Sequence, residues 1–188
     1  AFTCHYFFFF PKKIQEYAAK KNILLIPGIE QGIEKKKHVI ILNADKECEK
    51  IHTFKKLKEY KSKNNCLIIA PHPFFRTYHC LKKKLIHNIG LFDAIEFSFF
   101  YSEKVNWNKK AIETAEKYQK PLIGTSDVHL LEYLDITYSI IEAEKNIPSI
   151  FQAIRENRIT IKTEPLKKGE MSKIFLKMSK NHLQRIGK

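Results

Sequence analysis

The chain has 188 residues, of which 44% are hydrophobic and 29% are charged. This length favours one well-buried domain over two, and the composition is that of a globular protein. No apolar run approaches the roughly 20 residues that a transmembrane helix needs. The aromatic opening stretch, residues 1–10, has no basic residues before it, which excludes a secretory signal there. We therefore expect a cytoplasmic protein without a membrane partner.

The formal net charge is +14, from 34 Lys or Arg against 20 Asp or Glu. Nearly all of the excess is Lys, whereas specific phosphate recognition usually uses the planar fork of Arg. The charge is interpreted first as a solvated basic surface and second as an attraction for phosphate-bearing partners. The four cysteines, Cys4, Cys48, Cys66 and Cys80, form no Cys-x-x-Cys pair. That spacing favours a reducing compartment and excludes a zinc knuckle.

Short apolar runs of β type alternate with amphipathic helical patterns along the chain. The predicted strands are 1–4, 23–26, 39–42, 67–70, 94–97, 122–124, 137–141 and 159–162. The predicted helices are 12–20, 49–61, 109–117 and 149–156. Alternation of this kind predicts an α/β domain with a largely parallel sheet or barrel, whose catalytic loops follow the carboxyl ends of the strands.

A basic tail, residues 164–188, follows a single domain that we expect to span residues 1–163. Four apolar residues of the tail predict one face of a helix: Ile174, Phe175, Met178 and Leu183. We expect this face to dock on the domain. Contact with a membrane or with nucleic acid is the alternative.

Side chains that bind metals gather at the boundaries of the predicted strands. They are four histidines and two carboxylates: His5, Glu30, His38, His72, Asp127 and His129. Because strand ends meet at one rim of a parallel barrel, we expect the six to converge. Imidazole with carboxylate predicts Zn, Mn or Fe and argues against a thiolate site. Each residue alone is explained as well by a structural hydrogen bond or a turn, but their shared placement favours a metal site.

Five segments, in this order, resemble successive motifs of the PHP (polymerase and histidinol phosphatase) family. They are Thr3-Cys4-His5, Pro27-Gly28-Ile29-Glu30, Lys37-His38-Val39, Ala70-Pro71-His72-Pro73 and Ser126-Asp127-Val128-His129. The resemblance implies a distorted TIM-like β/α barrel over residues 1–163, with two or three divalent metal ions at its rim. It also implies a phosphoesterase acting on a phosphorylated small molecule, a nucleotide or a nucleic-acid end. The oligomeric state is left open.

The resemblance implies a role for each site residue. All six side chains are the implied metal ligands, and Glu30, His5 and Asp127 are the implied catalytic residues, with Glu30 bridging two ions. Arg76, four residues after His72, is interpreted as a fork for the substrate phosphate, although a surface role explains it equally well. Glu96, at the end of the strand 94–97, is interpreted as a structural residue beside the ligands.

Two features depart from the family pattern. The family begins with His-x-His at the end of its first strand, and this pair does not occur in the sequence. Cys4 also stands where Asp or Asn commonly precedes the histidine. Residues 1–5 therefore resemble the family's second strand, with the first strand and helix absent, and we expect weak or no phosphatase activity from these 188 residues. The alternatives are a non-catalytic PHP-like domain with a partial metal site, and a metal hydrolase of the deaminase or amidase type.

Overall fold

The computed structural model of the chain describes residues 1–129 and 131–177. The strands are β1 (Phe2–His5), β2 (Pro27–Ile33), β3 (Lys37–Leu42), β4 (Leu67–Ala70), β5 (Ala94–Ser98), β6 (Leu122–Thr125), β7 (Thr137–Ile141) and β8 (Ile159–Thr163). The helices are α1 (Lys12–Lys20), α2 (Phe54–Lys63), α3 (Lys83–His87), α4 (Asn108–Tyr118) and α5 (Ile147–Arg155). Residues 170–177 are also helical. In this part of the chain, no helix has the length and apolar character that crossing a membrane requires.

Strands β1 to β6 form one mixed sheet in sequence order. The pairs β1–β2, β4–β5 and β5–β6 are parallel, whereas β3 is antiparallel to both of its neighbours. Strands β7 and β8 form a separate antiparallel hairpin. Strand β6 is not paired with β1 within the described residues, so these pairings do not close a barrel. The predicted α/β class is confirmed, and the TIM-like barrel stays a prediction.

The hairpin β7–β8 lies against β6 at Gly124. The backbone N–H of Gly124 donates to Ser139 Oγ at 2.8 Å, and the same hydroxyl donates to the Gly124 carbonyl at 3.1 Å. A Cβ atom on Gly124 would lie 2.7 Å from Ile161 Cγ2. Glycine is therefore what allows the hairpin to approach the end of β6 so closely.

Hydrophobic residues cover both faces of the sheet, because successive strand residues point to opposite sides. On one face, Ile41 and Ile68 belong to a buried cluster that includes Leu57 of α2. On the other face, Leu67 and Ile69 pack with residues that include Phe151 of α5. Two-sided burial explains why the central strands read as continuous apolar runs.

Three predictions of secondary structure were wrong in part. The strand predicted at 23–26 lies at Pro27–Ile33, because Pro is tolerated at the first residue of a strand and Gly28 packs closely against Thr3. The helix predicted at 49–61 is divided, since Thr53 caps α2 by accepting a hydrogen bond from Lys56 N at 3.2 Å. The sheet is less parallel than expected because β2 and β3 are antiparallel neighbours.

The segment after β8 contacts the domain through two apolar side chains. Leu166 and Ile174 are buried in a cluster with Phe99. Phe175, predicted on the same helical face as Ile174, is exposed. Met178 and Leu183 lie outside the described residues, and the boundary at residue 163 stays a prediction.

Candidate metal centre

The strand directions bring the candidate ligands of β1, β2 and β3 to one edge of the sheet. His5 ends β1 and is in register with Glu30 of the parallel strand β2. His38 lies near the start of β3, and because β3 runs in the opposite direction, it pairs with Gly32, two residues beyond Glu30. His72 follows β4 directly. A histidine at the start of one strand therefore lies beside residues at the ends of others.

The Glu30 carboxylate is the centre of the cluster. Its Oε2 lies 3.3 Å from His5 Nε2. Its Oε1 lies 2.6 Å from His38 Nδ1 and 3.4 Å from His72 Nε2. Only 4% of the Glu30 side chain is exposed. One buried carboxylate thus faces three imidazoles, with a different oxygen turned toward His5 than toward the other two.

Two atoms of this cluster lack hydrogen-bond partners. Glu30 Oε1 and His38 Nδ1 face each other at 2.6 Å without the angles of a hydrogen bond, and neither of these buried atoms has another hydrogen-bond partner in the described parts of the chain. Leaving such atoms unpaired is costly, and a cation would satisfy both. Ligand atoms of His5, Glu30 and His38 also lie within 4.8 Å of one another. These nitrogen and oxygen donors therefore fit a divalent ion such as Zn.

Asp127 and His129 lie on the exposed side of the same cluster. The rings of His129 and His5 have centroids 5.4 Å apart. His129 Nδ1 lies 3.5 Å from Asp127 Oδ1. Both His72 and Asp127 have positive φ angles, 29° and 40°. For residues other than glycine this conformation costs on the order of 1 kcal/mol and occurs often at functional sites.

Comparisons with known proteins agree with this geometry. Residues 105–159 match the family model described as PHP-associated. The fold resembles that of a two-domain protein from Bacteroides vulgatus containing a predicted PHP-like metal-dependent phosphoesterase, with 19% identity and a TM-score of 0.62 over 87% of this chain and 52% of that one. These findings support the resemblance to the PHP family, and at 19% identity the solved structure shows a likeness of fold alone. The chain spans about half of the Bacteroides protein, so the activity of that whole protein cannot be assigned to the chain from this likeness.

A second solved structure has a similar fold. It is PsfC from Pseudomonas syringae, with 16% identity and a TM-score of 0.57 over 88% of this chain and 68% of that one. None of the curated proteins compared with the chain matches it in sequence. At these identities the solved structures support the fold alone.

In three histidines of the cluster, one ring nitrogen lies within hydrogen-bond distance of a neighbouring group. His38 Nε2 lies 2.9 Å from the Tyr6 hydroxyl, and His72 Nδ1 lies 3.5 Å from Cys80 Sγ. His129 Nδ1 lies 2.9 Å from the Asp127 carbonyl oxygen. Partners of this kind orient metal-binding imidazoles. They leave His38 Nδ1 and His72 Nε2 turned toward Glu30.

Sequence reasoning missed Tyr6, Cys80 and His79. The ring of His79 stacks on His38, with centroids 4.5 Å apart. The available signals were the position of Tyr6 next to His5 and the adjacent pair His79-Cys80 seven residues after His72. The contacts of His79 and Cys80 with the cluster depend on the loop 73–82 folding back onto His38 and His72, which the sequence does not indicate.

The ionised Glu30 carboxylate and the histidines around it shift one another's pKa values. Burial would raise the pKa of the Glu30 carboxyl, but the contacts with His38, His72 and His5 outweigh burial and hold this pKa below its usual range. Burial would likewise lower the pKa of His72, but Cys80 and Glu30 outweigh it and raise that pKa well above its ordinary value. The carboxylate therefore stays ionised at neutral pH and attracts positive charge.

Glu96 and Arg76 occupy very different surroundings. Glu96 is buried and accepts hydrogen bonds from the His72 backbone N–H and from Thr125 Oγ1. Burial, helped by the charge of Asp127 and opposed by His72, raises the pKa of Glu96 to about 7. Arg76 is exposed and makes no ion pair or hydrogen bond with the described residues. The structure thus brings His5, His38 and His72 to Glu30, with His129 beside His5 and Asp127 beside His129, and it leaves Arg76 outside these contacts.

Replacing Cys80 with Ala is expected to lower the affinity for Zn or Mn about 10- to 100-fold, because His72 would lose the partner that orients its ring. Cys80→Ser keeps a small hydrogen-bonding side chain and should recover most of the affinity. Titration against a competing chelator measures both. Wild-type affinity in the Ala variant would contradict an orienting role for Cys80.

Proposed function

We propose that this chain is part of a PHP-type phosphoesterase that, in its complete form, hydrolyses phosphoesters with two or three divalent ions, Zn, Mn or Fe, of which the cluster around Glu30 would bind one or two. The observation that carries this proposal is the placement of the two Glu30 oxygens, Oε2 toward His5 and Oε1 toward His38 and His72. A carboxylate that offers each oxygen to a different set of imidazoles suits a bridging ligand. We further propose that the curved sheet belongs to a distorted TIM-like barrel.

The proposed ligands divide by depth. Glu30 and His38 are almost fully buried, and His72 is only slightly more exposed. The side chains of His5 and His129 are 36% and 34% exposed. A substrate would therefore reach the cluster over His5, Asp127 and His129, with the other ligands beneath them.

Bound divalent ions would supply a water of lowered pKa and would neutralise charge on the phosphoryl oxygens. The protein's part is to hold the reacting groups in place. Glu30 supplies the buried negative charge that retains cations, and His5 contacts the substrate phosphate at the opening. Asp127 Oδ1, beside His129, is placed to accept a proton from the attacking water. Arg76 remains a proposed contact for an outer part of the substrate.

The experiment combines metal loading with an activity assay. The chain is stripped with a chelator, reconstituted with Zn, Mn or Fe, and analysed for metal content and for hydrolysis of p-nitrophenyl phosphate. His72→Ala should lower both the metal content and the hydrolysis. His52→Ala is the matched control, because His52 is exposed and lies outside the cluster.

Two outcomes contradict the proposal in different ways. If the reconstituted chain takes up no transition metal, the cluster is not a metal site. If it binds metal but hydrolyses neither a simple phosphomonoester nor a nucleotide, even when extended at its N-terminus by a strand that ends in His-x-His, the non-catalytic alternative is correct. Equal effects of His72→Ala and His52→Ala would exclude His72 as a ligand.

A further inference from the structure

A basic pocket of about 450 Å³ lies beside the metal cluster. Five lysines from separate parts of the fold line it: Lys37, Lys82, Lys83, Lys84 and Lys110. The remaining lining residues are Phe74, Cys80 and Leu81. Pockets of this volume hold small organic ligands. The walls of the pocket are mainly apolar, formed by Phe74, Leu81 and the aliphatic stems of the lysines, and the five lysines add positive charge around it.

The five lysines come from β3, from the first turn of α3 with the residue before it, and from α4. None of them makes an ion pair with a carboxylate among the described residues. The chain reinforces this charge locally, since residues 60–92 contain six Lys or Arg and no Asp or Glu. Like charges gathered without counter-charges create a strong positive potential, which attracts anions.

The pocket and the metal cluster meet at Cys80. Its Sγ atom lies 3.5 Å from His72 Nδ1, and its side chain also lines the pocket. On the opposite lining, Lys110 Nζ lies 5.2 Å from the centre of the Phe74 ring. A ligand in the pocket would therefore be separated from His72 of the cluster by the Cys80 side chain alone.

We propose that this pocket binds a small molecule carrying two or more linked phosphate groups, of the size of a nucleoside di- or triphosphate. Five cations exceed what one phosphate needs, and the apolar surface of Phe74 and Leu81 suits the organic part of such a ligand. The pocket would hold the part of a substrate that is not hydrolysed. This role rests on the proposed function, whereas the binding itself does not.

Calorimetric titration in the presence of a chelator tests the binding separately from catalysis. The probes are inorganic tripolyphosphate, adenosine triphosphate and orthophosphate. We expect tripolyphosphate and the nucleotide to bind at low salt, with an affinity that falls steeply as salt rises, and orthophosphate to bind more weakly. Binding of orthophosphate as tight as that of tripolyphosphate would overturn the requirement for linked phosphates.

Two triple variants separate the pocket from general surface charge. Lys82→Ala/Lys83→Ala/Lys110→Ala should weaken tripolyphosphate binding about tenfold or more. The control, Lys55→Ala/Lys56→Ala/Lys58→Ala, removes the same charge from exposed positions of α2 and should change binding less than about twofold. Equal weakening in both variants, or no binding to the wild type at low salt, would overturn the proposal. Binding of tripolyphosphate would support the pocket even if the metal-loaded chain, which lacks the His-x-His segment, hydrolyses no phosphoester.

Discussion

Replacing Glu30 with Gln is expected to lower the affinity for Zn or Mn by at least about 100-fold. The substitution keeps the shape of the side chain but removes its negative charge, and one oxygen becomes an amide NH2 that cannot bind a cation. Because Glu30 contacts His5, His38 and His72, no neighbouring group can replace it. Metal affinity is measured by competition with a chelator, and any phosphoester hydrolysis should fall in parallel.

The matched control for this prediction is Glu116→Gln, since Glu116 is exposed on α4. It removes the same charge from the protein without touching the cluster, so its metal affinity should equal that of the wild type. Circular dichroism of both variants checks that the fold is retained. If Glu30→Gln binds metal as tightly as Glu116→Gln, the carboxylate is not a ligand.

Gly124→Ala is expected to destabilise the protein by about 1–3 kcal/mol. The new Cβ would lie 2.7 Å from Ile161 Cγ2 and 3.2 Å from the Tyr138 carbonyl oxygen, so the hairpin β7–β8 would have to move away from β6. Asp127 follows β6 by two residues, and its displacement should weaken metal binding as well. Urea unfolding measures the first effect and chelator competition the second.

Gly90→Ala is the control for the same chemical change. A Cβ at Gly90 has no heavy atom within 4 Å, so the free energy of unfolding should change by less than about 0.5 kcal/mol. Similar losses of stability in both variants would mean that backbone flexibility, and not the close approach at Gly124, causes the effect.

Much of the secondary structure was predictable because the positions that are buried carry apolar residues at the spacing of a strand or a helix. The strand Leu67–Ala70 is apolar at every position since both of its faces are covered, and α4 shows the helical spacing of Ala111 and Ala115 toward the core. Strand β2 was misplaced because Pro27 and Gly28 look like turn residues. Their strand conformation depends on neighbours that are distant in sequence.

The gathering of the six ligands followed from their positions at strand boundaries, although the assumed reason was incomplete. A fully parallel sheet would place the start of β3, and with it His38, at the opposite edge from Glu30. The antiparallel pairing of β2 and β3 is what brings His38 to the cluster. Local sequence did not distinguish these two arrangements, because both bury the same side chains.

The contacts of Cys80 and the lysine pocket could not be predicted for a different reason. Both depend on the course of the irregular segment between β4 and α3, which has no periodic pattern. Charge alone indicated only a basic protein. How Lys37 and Lys110 come near Lys82–Lys84 is decided by tertiary packing.

The position of β1 at the end of the sheet order has a consequence for the folding of the domain. All four residues of β1 are only partly buried, and the strand pairs with β2 alone in the described sheet. Such a strand opens locally at a lower free energy than the central strands do. Since His5 ends β1, an ion bound through His5 would stabilise only those molecules in which the strand is docked. Metal supply would then control the fraying of β1, and release of the ion would be coupled to the local opening of this strand.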